Sequence, residues 1–162
     1  MQTWLPDEDF IKSAKALRTK ELGRQRVDAK MALNALLYPE RESKWRFHPV
    51  CWMWKGYERL LMKYYDAVVR EWKQRGHKHT MEFDNQTWYR LRKSYLRTPW
   101  WMGQPEFHVA QQAHLIRRFG DHYEKQFPSA WETPVVWPVT RRGEKNKHLR
   151  PYGEEPLSTL PF

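Results

Sequence analysis

Apolar residues recur at spacings of three and four from Val50 to Trp72, and this run constrains the fold more than any other feature. Its members are Val50, Trp54, Tyr57, Leu61, Tyr64, Val68 and Trp72. Residues three and four apart share one face of an α-helix. Pro49 suits the first position of a helix, and Gly76 follows Arg75 in the way that helices commonly end. The pattern therefore predicts one long central helix from Pro49 to about Arg75, with one face buried.

Shorter periodic segments on both sides of this run predict further helices. They cover residues 7–17, 19–37, 84–96, 105–119 and 121–127. The chain has no pair of strand patterns joined by a turn, no internal repeat and no Gly-rich phosphate loop. We predict an all-α fold: a single compact domain over residues 1–138, of about five to six helices around the central one. Residues 139–162 are predicted to form an irregular, basic tail that contains Pro and Gly.

Composition excludes several classes of protein. Aromatic residues make up 15% of the 162 residues, whereas disordered chains are poor in them. No uncharged apolar run reaches 18 residues, so no transmembrane helix is expected. The only cysteine, Cys51, excludes a disulfide framework and is predicted to be a small core residue. No three of the seven histidines have ligand spacing with an acid, so we expect no metal and no cofactor. The N-terminus lacks an apolar signal core, which predicts a cytoplasmic protein.

Positive charge is concentrated near the N-terminus. Lys and Arg exceed Asp and Glu by ten in the whole chain, and residues 11–37, with seven basic and two acidic residues, carry +5 of this. Such charge attracts polyanions, of which nucleic acid is the commonest in a cell. Within this segment, Lys20 and Arg24 frame Glu21 on a helix, either as part of a site or as an ordinary solvated pair. Gly23 costs a helix about 1 kcal/mol relative to alanine, which predicts a close approach at this position.

Several short motifs follow one another along residues 2–138. They are QTWLP at 2–6, LGRQRVD at 22–28, HP at 48–49 ahead of a helical run that ends in RG at 75–76, residues 101–108, LIRR at 115–118 with HY at 122–123, and VWP at 136–138. In this order and spacing they resemble the small pyrimidine-dimer DNA glycosylases of the endonuclease V type, which come from phages and bacteria.

This resemblance implies a compact all-α protein, which we expect to be a monomer, that grips damaged or modified double-stranded DNA and expels a nucleotide from the stack. In the family, the N-terminal α-amino group attacks C1′ of the deoxyribose and displaces the base. The resulting imine permits strand cleavage by β-elimination, and no metal is required. An α-amino group has a pKa near 8, so a usable fraction is neutral at physiological pH.

The resemblance also implies which residues form the catalytic site. The catalytic glutamate of the family matches Glu21, which is the preferred candidate. Asp28, which matches the acidic position of the motif at 22–28, is the alternative. In the best-known relatives the initiator methionine is removed to expose a small residue, but here Gln2 comes next. Met1 could therefore supply the amine, Gln2 could supply it after processing, or the lyase step could be lost.

The predicted DNA contacts are basic, histidine and aromatic side chains. They are Lys20, Arg24, Gln25, Arg26, His48, Lys55, Trp100, Trp101, His108, Arg117 and Arg118. Trp100 and Trp101 lie in a predicted loop and are candidates for stacking on an expelled base or filling its gap, unless one of them fills the core. For His48 and His108 there are two alternatives: each contacts phosphate or orients the carboxylate, or each is a structural residue.

The leading hypothesis is thus a DNA glycosylase with abasic-site lyase activity on damaged or modified pyrimidines. Two alternatives stay open from sequence: a non-enzymatic DNA-binding module of the same fold, and a basic helical adaptor for RNA or an acidic protein. Nothing in the spacing distinguishes one pyrimidine lesion from another.

Overall fold

The computed structural model describes residues 2–134 and 136–139, and these fold into seven α-helices joined by turns and loops. No strand occurs in this part of the chain, which confirms the predicted all-α class. Residues 140–162, nearly all of the predicted tail, lie outside the described residues, as does Met1. None of the described helices is long and apolar enough to cross a membrane.

The described chain divides into two compact units, and the first contains residues 2–3 and Asp9–Trp100. Its helices are α1 (Phe10–Ala16), α2 (Thr19–Leu37), α3 (Pro49–Trp54), α4 (Glu58–Gln74) and α5 (Asn85–Lys93). Two short 3₁₀ turns, Pro39–Arg41 and Lys44–Phe47, connect α2 to α3. The main contacts are those of α4 with α2 and α1, while α2 also touches α3 and the second 3₁₀ turn.

Aspartate side chains begin two of these helices. Asp9 accepts hydrogen bonds from the N–H groups of Ile11 and Lys12 at 2.7 and 3.0 Å, and α1 follows. Asp84 accepts from the N–H of Thr87 at 2.8 Å, and α5 follows. All three bonds satisfy N–H groups that have no partner within the helix. The hydrogen bonds hold the pKa of both carboxyl groups below the usual value.

The predicted central helix is divided into α3 and α4 at Gly56. This residue has a φ of +83°, a conformation that other residues rarely adopt, and it ends α3. Its carbonyl accepts a hydrogen bond from Nε of Arg97 at 3.1 Å. A Cβ at position 56 would lie 2.8 Å from Nη2 of the same arginine. The turn therefore needs glycine both for its backbone angle and for the space that Arg97 occupies.

At Gly23 the side chain of Trp72 in α4 approaches the backbone of α2 closely. A Cβ at this position would stand 2.9 Å from Cζ3 of the Trp72 ring. That ring is held from two sides, by the Arg26 guanidinium at 3.9 Å from its centroid and by the stacked ring of His77 at 4.2 Å. The close approach predicted from a mid-helix glycine is thus made by a tryptophan of the same chain.

Gly23→Ala should destabilise the protein by about 1–3 kcal/mol, because the added Cβ would displace the Trp72 ring from its contacts with Arg26 and His77. Helix propensity alone would predict the opposite sign, a gain of about 1 kcal/mol. Equilibrium urea unfolding measures the difference. In a Trp72→Leu background the same substitution should be neutral or stabilising, and an equal loss in both backgrounds would rule out the steric cause.

The second unit contains residues 4–8 and, in its described part, residues 101–134 and 136–139. Its helices α6 (Pro105–Phe119) and α7 (Asp121–Gln126) pack on each other and are separated by Gly120. Large apolar side chains fill its interior, including Leu5, Trp101, Phe107, Leu115 and Tyr123. Both helices lie within one residue of their predicted bounds.

Candidate active site

The start of the chain lies against the carboxylate of Asp28 in α2. The backbone N–H of Gln2 donates a hydrogen bond to Oδ2 of Asp28 at 3.1 Å. The second carboxylate oxygen, Oδ1, accepts from Nε of Arg24 at 3.1 Å. The Asp28 side chain is only 5% exposed. Each oxygen of this buried carboxylate is therefore held by a donor, one of which belongs to the second residue of the chain.

The N-terminal segment is fixed at this place by its own contacts. Gln2 and Thr3 are both buried. The hydroxyl oxygen of Thr3 accepts a hydrogen bond from Nε1 of Trp54 at 3.0 Å, and the Trp54 ring stacks with that of Tyr64. Because α3 and α4 supply these rings, the position of the N-terminal segment depends on the packing of the core.

Exposed cations lie on the same face of α2 as Asp28. Lys20, Arg24 and Asp28 are each four residues apart, which aligns them on one side of the helix. Lys20 and Arg24 are both exposed. Since Arg24 uses Nε for Asp28, its terminal N–H groups remain to donate to an anion such as a phosphate.

His48 belongs to the same neighbourhood. Its Nδ1 accepts a hydrogen bond from the N–H of Val50 at 3.2 Å and so caps α3, which places the ring proton on Nε2. Burial lowers the pKa of His48, and the charge of nearby Asp28 acts in the opposite direction. The ring is therefore neutral at pH 7 and has an Nε2–H to donate. We call Gln2, Arg24, Asp28 and His48 the terminal cluster.

Glu21, the carboxylate preferred from sequence, lies two helical turns before Asp28, about 10 Å along the axis of α2. Its two oxygens accept from Nε and Nη2 of Arg18 at 2.7 and 2.9 Å, and its side chain is buried. This pairing fits an ion pair that anchors the first turn of the helix. The geometry therefore favours Asp28 over Glu21 as the carboxylate next to the N-terminus, the reverse of the order predicted from sequence.

Two of the predicted DNA contacts in α2 have partners inside the protein. Gln25 is fully buried, and its Oε1 accepts a hydrogen bond from the hydroxyl of Tyr64 at 2.7 Å. Arg26 covers the Trp72 ring, and its Nη1 lies 3.1 Å from Nδ1 of His79. Both side chains therefore join α2 to α4 and the segment that follows.

In the second unit, His108 and Trp101 also have structural surroundings. Nδ1 of His108 lies 2.8 Å from the carbonyl of Leu5, and its Nε2 accepts from the N–H of Gly103 at 3.0 Å. Both ring nitrogens are thereby used. Trp101 is 1% exposed and packs on Phe107, so it takes the core-filling alternative.

The remaining predicted DNA contacts are accessible to different degrees. Lys55 is exposed at the end of α3, and Trp100 is half-buried. Arg117 and Arg118 are exposed in the last turn of α6, in the second unit, where Arg117 also donates to the carbonyl of Trp131 at 3.3 Å.

Sequence reasoning missed the exposed rings that directly precede His48. The 3₁₀ turn Lys44–Phe47 packs on α2 and α3, and Phe47 at its end is 60% exposed. Trp45 in the same turn is also exposed, with its ring centroid 5.8 Å from that of His48. The available signal was two rings separated by one cation, Arg46, in a polar loop just before a helix-starting proline.

The first unit thus has an all-helical frame in which a buried carboxylate, the first residues of the chain and exposed cations meet, as in a protein that acts on a polyanion. Among the described residues, no group of three or more His, Cys, Asp or Glu side chains is placed to hold a metal ion. A family model of pyrimidine dimer DNA glycosylase matches residues 1–85, more than half of the chain and the whole terminal cluster. The chain belongs to the pyrimidine dimer DNA glycosylase family, and membership implies a DNA glycosylase that binds damaged DNA. No curated protein and no solved structure matches the chain.

Proposed function

We propose that this protein is a DNA glycosylase with abasic-site lyase activity, which removes a damaged or modified pyrimidine from duplex DNA. The observation that carries the proposal is the 3.1 Å contact between the nitrogen of Gln2 and the carboxylate of Asp28. An amine next to a carboxylate that accepts its proton is the arrangement that nucleophilic catalysis requires. Family membership supports DNA with a pyrimidine dimer as the first substrate to test.

In the proposed reaction, the α-amino nitrogen attacks C1′ of the deoxyribose, and the bond from C1′ to the base breaks. The base leaves with the bonding electrons and takes up a proton, while the amine gives its proton to Asp28. The C1′–O4′ bond then breaks and O4′ takes up a proton, which opens the sugar and leaves an imine between C1′ and the chain. Loss of a proton from C2′ then breaks the C3′–O bond and expels the 3′ phosphate. The Asp28 carboxylate also stabilises the positive charge that develops on the sugar.

Two chain starts fit this proposal. If Met1 is removed, the nitrogen of Gln2 is the α-amino group and lies at Asp28 already. If Met1 is retained, its nitrogen lies one residue before the nitrogen of Gln2. Neighbouring Cα atoms are about 3.8 Å apart, so the amine is still close to Asp28. In both cases the nucleophile is an α-amino group, which in model peptides has a pKa near 8, about two units below that of a lysine, and so offers more neutral amine at pH 7.

Binding to the DNA backbone is assigned to the exposed cations on the face of α2. Lys20 and Arg24 would contact phosphates that flank the reacting sugar in one direction along the strand, since both precede Asp28 on the same side of the helix. Phosphate contacts position a protein without reading the sequence and weaken as salt is added. We therefore expect binding without sequence preference and with a strong dependence on salt.

Phe47 is our candidate for the ring that occupies the space of an expelled nucleotide. It is exposed, it directly precedes His48 of the terminal cluster, and the Arg46 guanidinium lies 4.6 Å from its ring centroid. Expelling a nucleotide costs a few kcal/mol of stacking and pairing, and a ring inserted in its place recovers part of that cost.

Phe47→Ala should slow base release from a fully paired lesion duplex about tenfold or more, with little effect on stability because the ring is exposed. When the base opposite the lesion is mismatched, less stacking has to be broken and the loss should be smaller. Single-turnover release assays on the two duplexes measure this. Trp131→Ala, which removes another half-exposed ring, is the matched control, and equal losses in both variants or on both duplexes would contradict the role.

The function itself is tested by incubating the protein with a panel of duplexes that each contain one altered pyrimidine, including a cyclobutane dimer, an oxidised pyrimidine and an abasic site. We expect release from at least one lesion, followed by strand cleavage. Tight binding to the duplexes with no release of a base from any of them would indicate a non-enzymatic DNA-binding module. Equal affinity for damaged duplex, intact duplex and single-stranded RNA would favour a general adaptor instead.

A further inference from the structure

Residues 85–97, which comprise α5 and the segment after it, expose rings and cations together. Tyr95 is 80% exposed and Tyr89 59% exposed. The segment contains four basic residues and no acidic one. We call Trp88, Tyr89, Arg92, Lys93 and Tyr95 the α5 surface. It begins beyond residue 85, where the family match ends, and is not used in the proposed reaction.

The α5 surface is the outer face of a helix that is held firmly from its other side. Arg90 donates to the carbonyl of Leu37, at the end of α2, and its Nη2 pairs with Glu40 at 2.7 Å. In contrast, Arg92 and Lys93 form no ion pair with any described residue. Arg92 and Lys93 are therefore presented on a fixed support, without an acidic partner among the described residues.

The rings and cations of this surface are interleaved at helical spacing. Lys93 lies four residues after Tyr89, with its Nζ 4.3 Å from the centroid of that ring, and Arg92 lies four residues after Trp88. Tyr95 follows just beyond the end of the helix. Each cation thus has an exposed aromatic neighbour.

We propose that the α5 surface binds an unpaired strand of DNA, with bases stacked on Tyr89 and Tyr95 and phosphates paired with Arg92 and Lys93. Alternating rings and cations match a single strand, since each nucleotide offers both a base face and a phosphate. Intact duplex would use the cations but leave the rings without partners, because its bases are already stacked. A purely apolar partner would bury two unpaired cations, which is costly.

The full chain is tested with a fluorescein-labelled ten-nucleotide oligo(dT) that contains no lesion, by fluorescence anisotropy. The double variant Tyr89→Ala/Tyr95→Ala should weaken binding at least about tenfold, whereas Tyr89→Phe/Tyr95→Phe should bind as the parent does. Arg92→Gln/Lys93→Gln should also weaken binding and reduce the slope of log affinity against log salt by about 1.4. Trp131→Ala, which alters a ring that is 50% exposed in the second unit, should have no effect.

Three outcomes would overturn the proposal. Loss of binding in the glutamine variant but not in the alanine variant would show phosphate contact without stacking. Unchanged binding in both would place the strand elsewhere. Self-association in sedimentation velocity that disappears in the alanine variant would show that a second copy of the chain covers the surface. The test uses lesion-free DNA and no turnover, so failure of the glycosylase proposal would leave its result unaffected.

Discussion

Asp28→Asn is expected to lower the rate of base release by about 10²- to 10⁴-fold, the range that a positioned proton-transfer group contributes. Asparagine has nearly the same shape and still offers one oxygen to Arg24 or to the N–H of Gln2, so the site keeps its form. It no longer accepts the proton of the amine or stabilises positive charge on the sugar. Release under single-turnover conditions, with enzyme in excess, measures the effect.

Duplex affinity should change only a few-fold in this variant, because we assign the phosphate contacts to Lys20 and Arg24. Anisotropy with a lesion duplex provides that control. A fall in affinity as large as the fall in rate would assign Asp28 to binding rather than to catalysis.

Glu21→Gln is the matched comparison, because it removes the other buried carboxylate of α2. Here we expect the rate of base release to stay within a few-fold of that of the parent protein. The free energy of unfolding should fall by about 1 kcal/mol because the ion pair with Arg18 is broken. The loss is small because the Arg18 side chain is partly exposed to solvent. Urea unfolding of both variants separates the two effects. If Glu21→Gln stops release in a stable protein and Asp28→Asn does not, the catalytic role passes to Glu21.

An extension of two or three residues before Met1 should lower the yield of the covalent adduct that borohydride traps on an abasic duplex by at least about 10²-fold. The extension converts the reacting amine into an amide, which is not a nucleophile, and it moves the new amine away from Asp28. A chain with the same extension at its C-terminus is the control and should trap as the unmodified protein does. Unfolding curves of both chains check that the fold is intact.

Mass spectrometry of the trapped peptide then identifies the nucleophile. We expect the sugar on the first residue of the chain, whether this is Met1 or Gln2. Lys20 is the amine to compare, since it lies on the same face of α2 as Asp28. An adduct that survives the extension but disappears in Lys20→Arg would make that side chain the nucleophile and refute the role of the α-amino group.

Local signals predicted most of the helical frame. The periodic apolar residues, the prolines at 49 and 105, the glycine at 120 and the aspartate at 84 all act on neighbours in sequence, and helices begin or end at these points. The break at Gly56 was not predicted, although the glycine inside the periodic run is a local signal and its N–H donates to Oε1 of Glu58 only two residues away. The contact with Arg97, 41 residues further along the chain, could not be read from neighbouring residues.

The contacts of the site also differ in how far apart the two residues are in sequence. The pair of Arg18 and Glu21 is three residues apart and could be foreseen, whereas the contact of Gln2 with Asp28 spans 26 residues and arises only when the chain folds. For that reason the sequence yielded both carboxylates as candidates but did not show which of them lies next to the N-terminus. The burial of Gln25 and Trp101 likewise depends on elements that meet only in the folded chain.

The hydrogen bond from Trp54 to Thr3 has a consequence for how this protein should be handled. Chain ends are usually the places where tags, trimming and altered start sites are tolerated. Here the first residues behave as interior residues, so a change of start site amounts to a mutation in the core. Any purification tag or alternative start codon at this end therefore becomes an experimental variable.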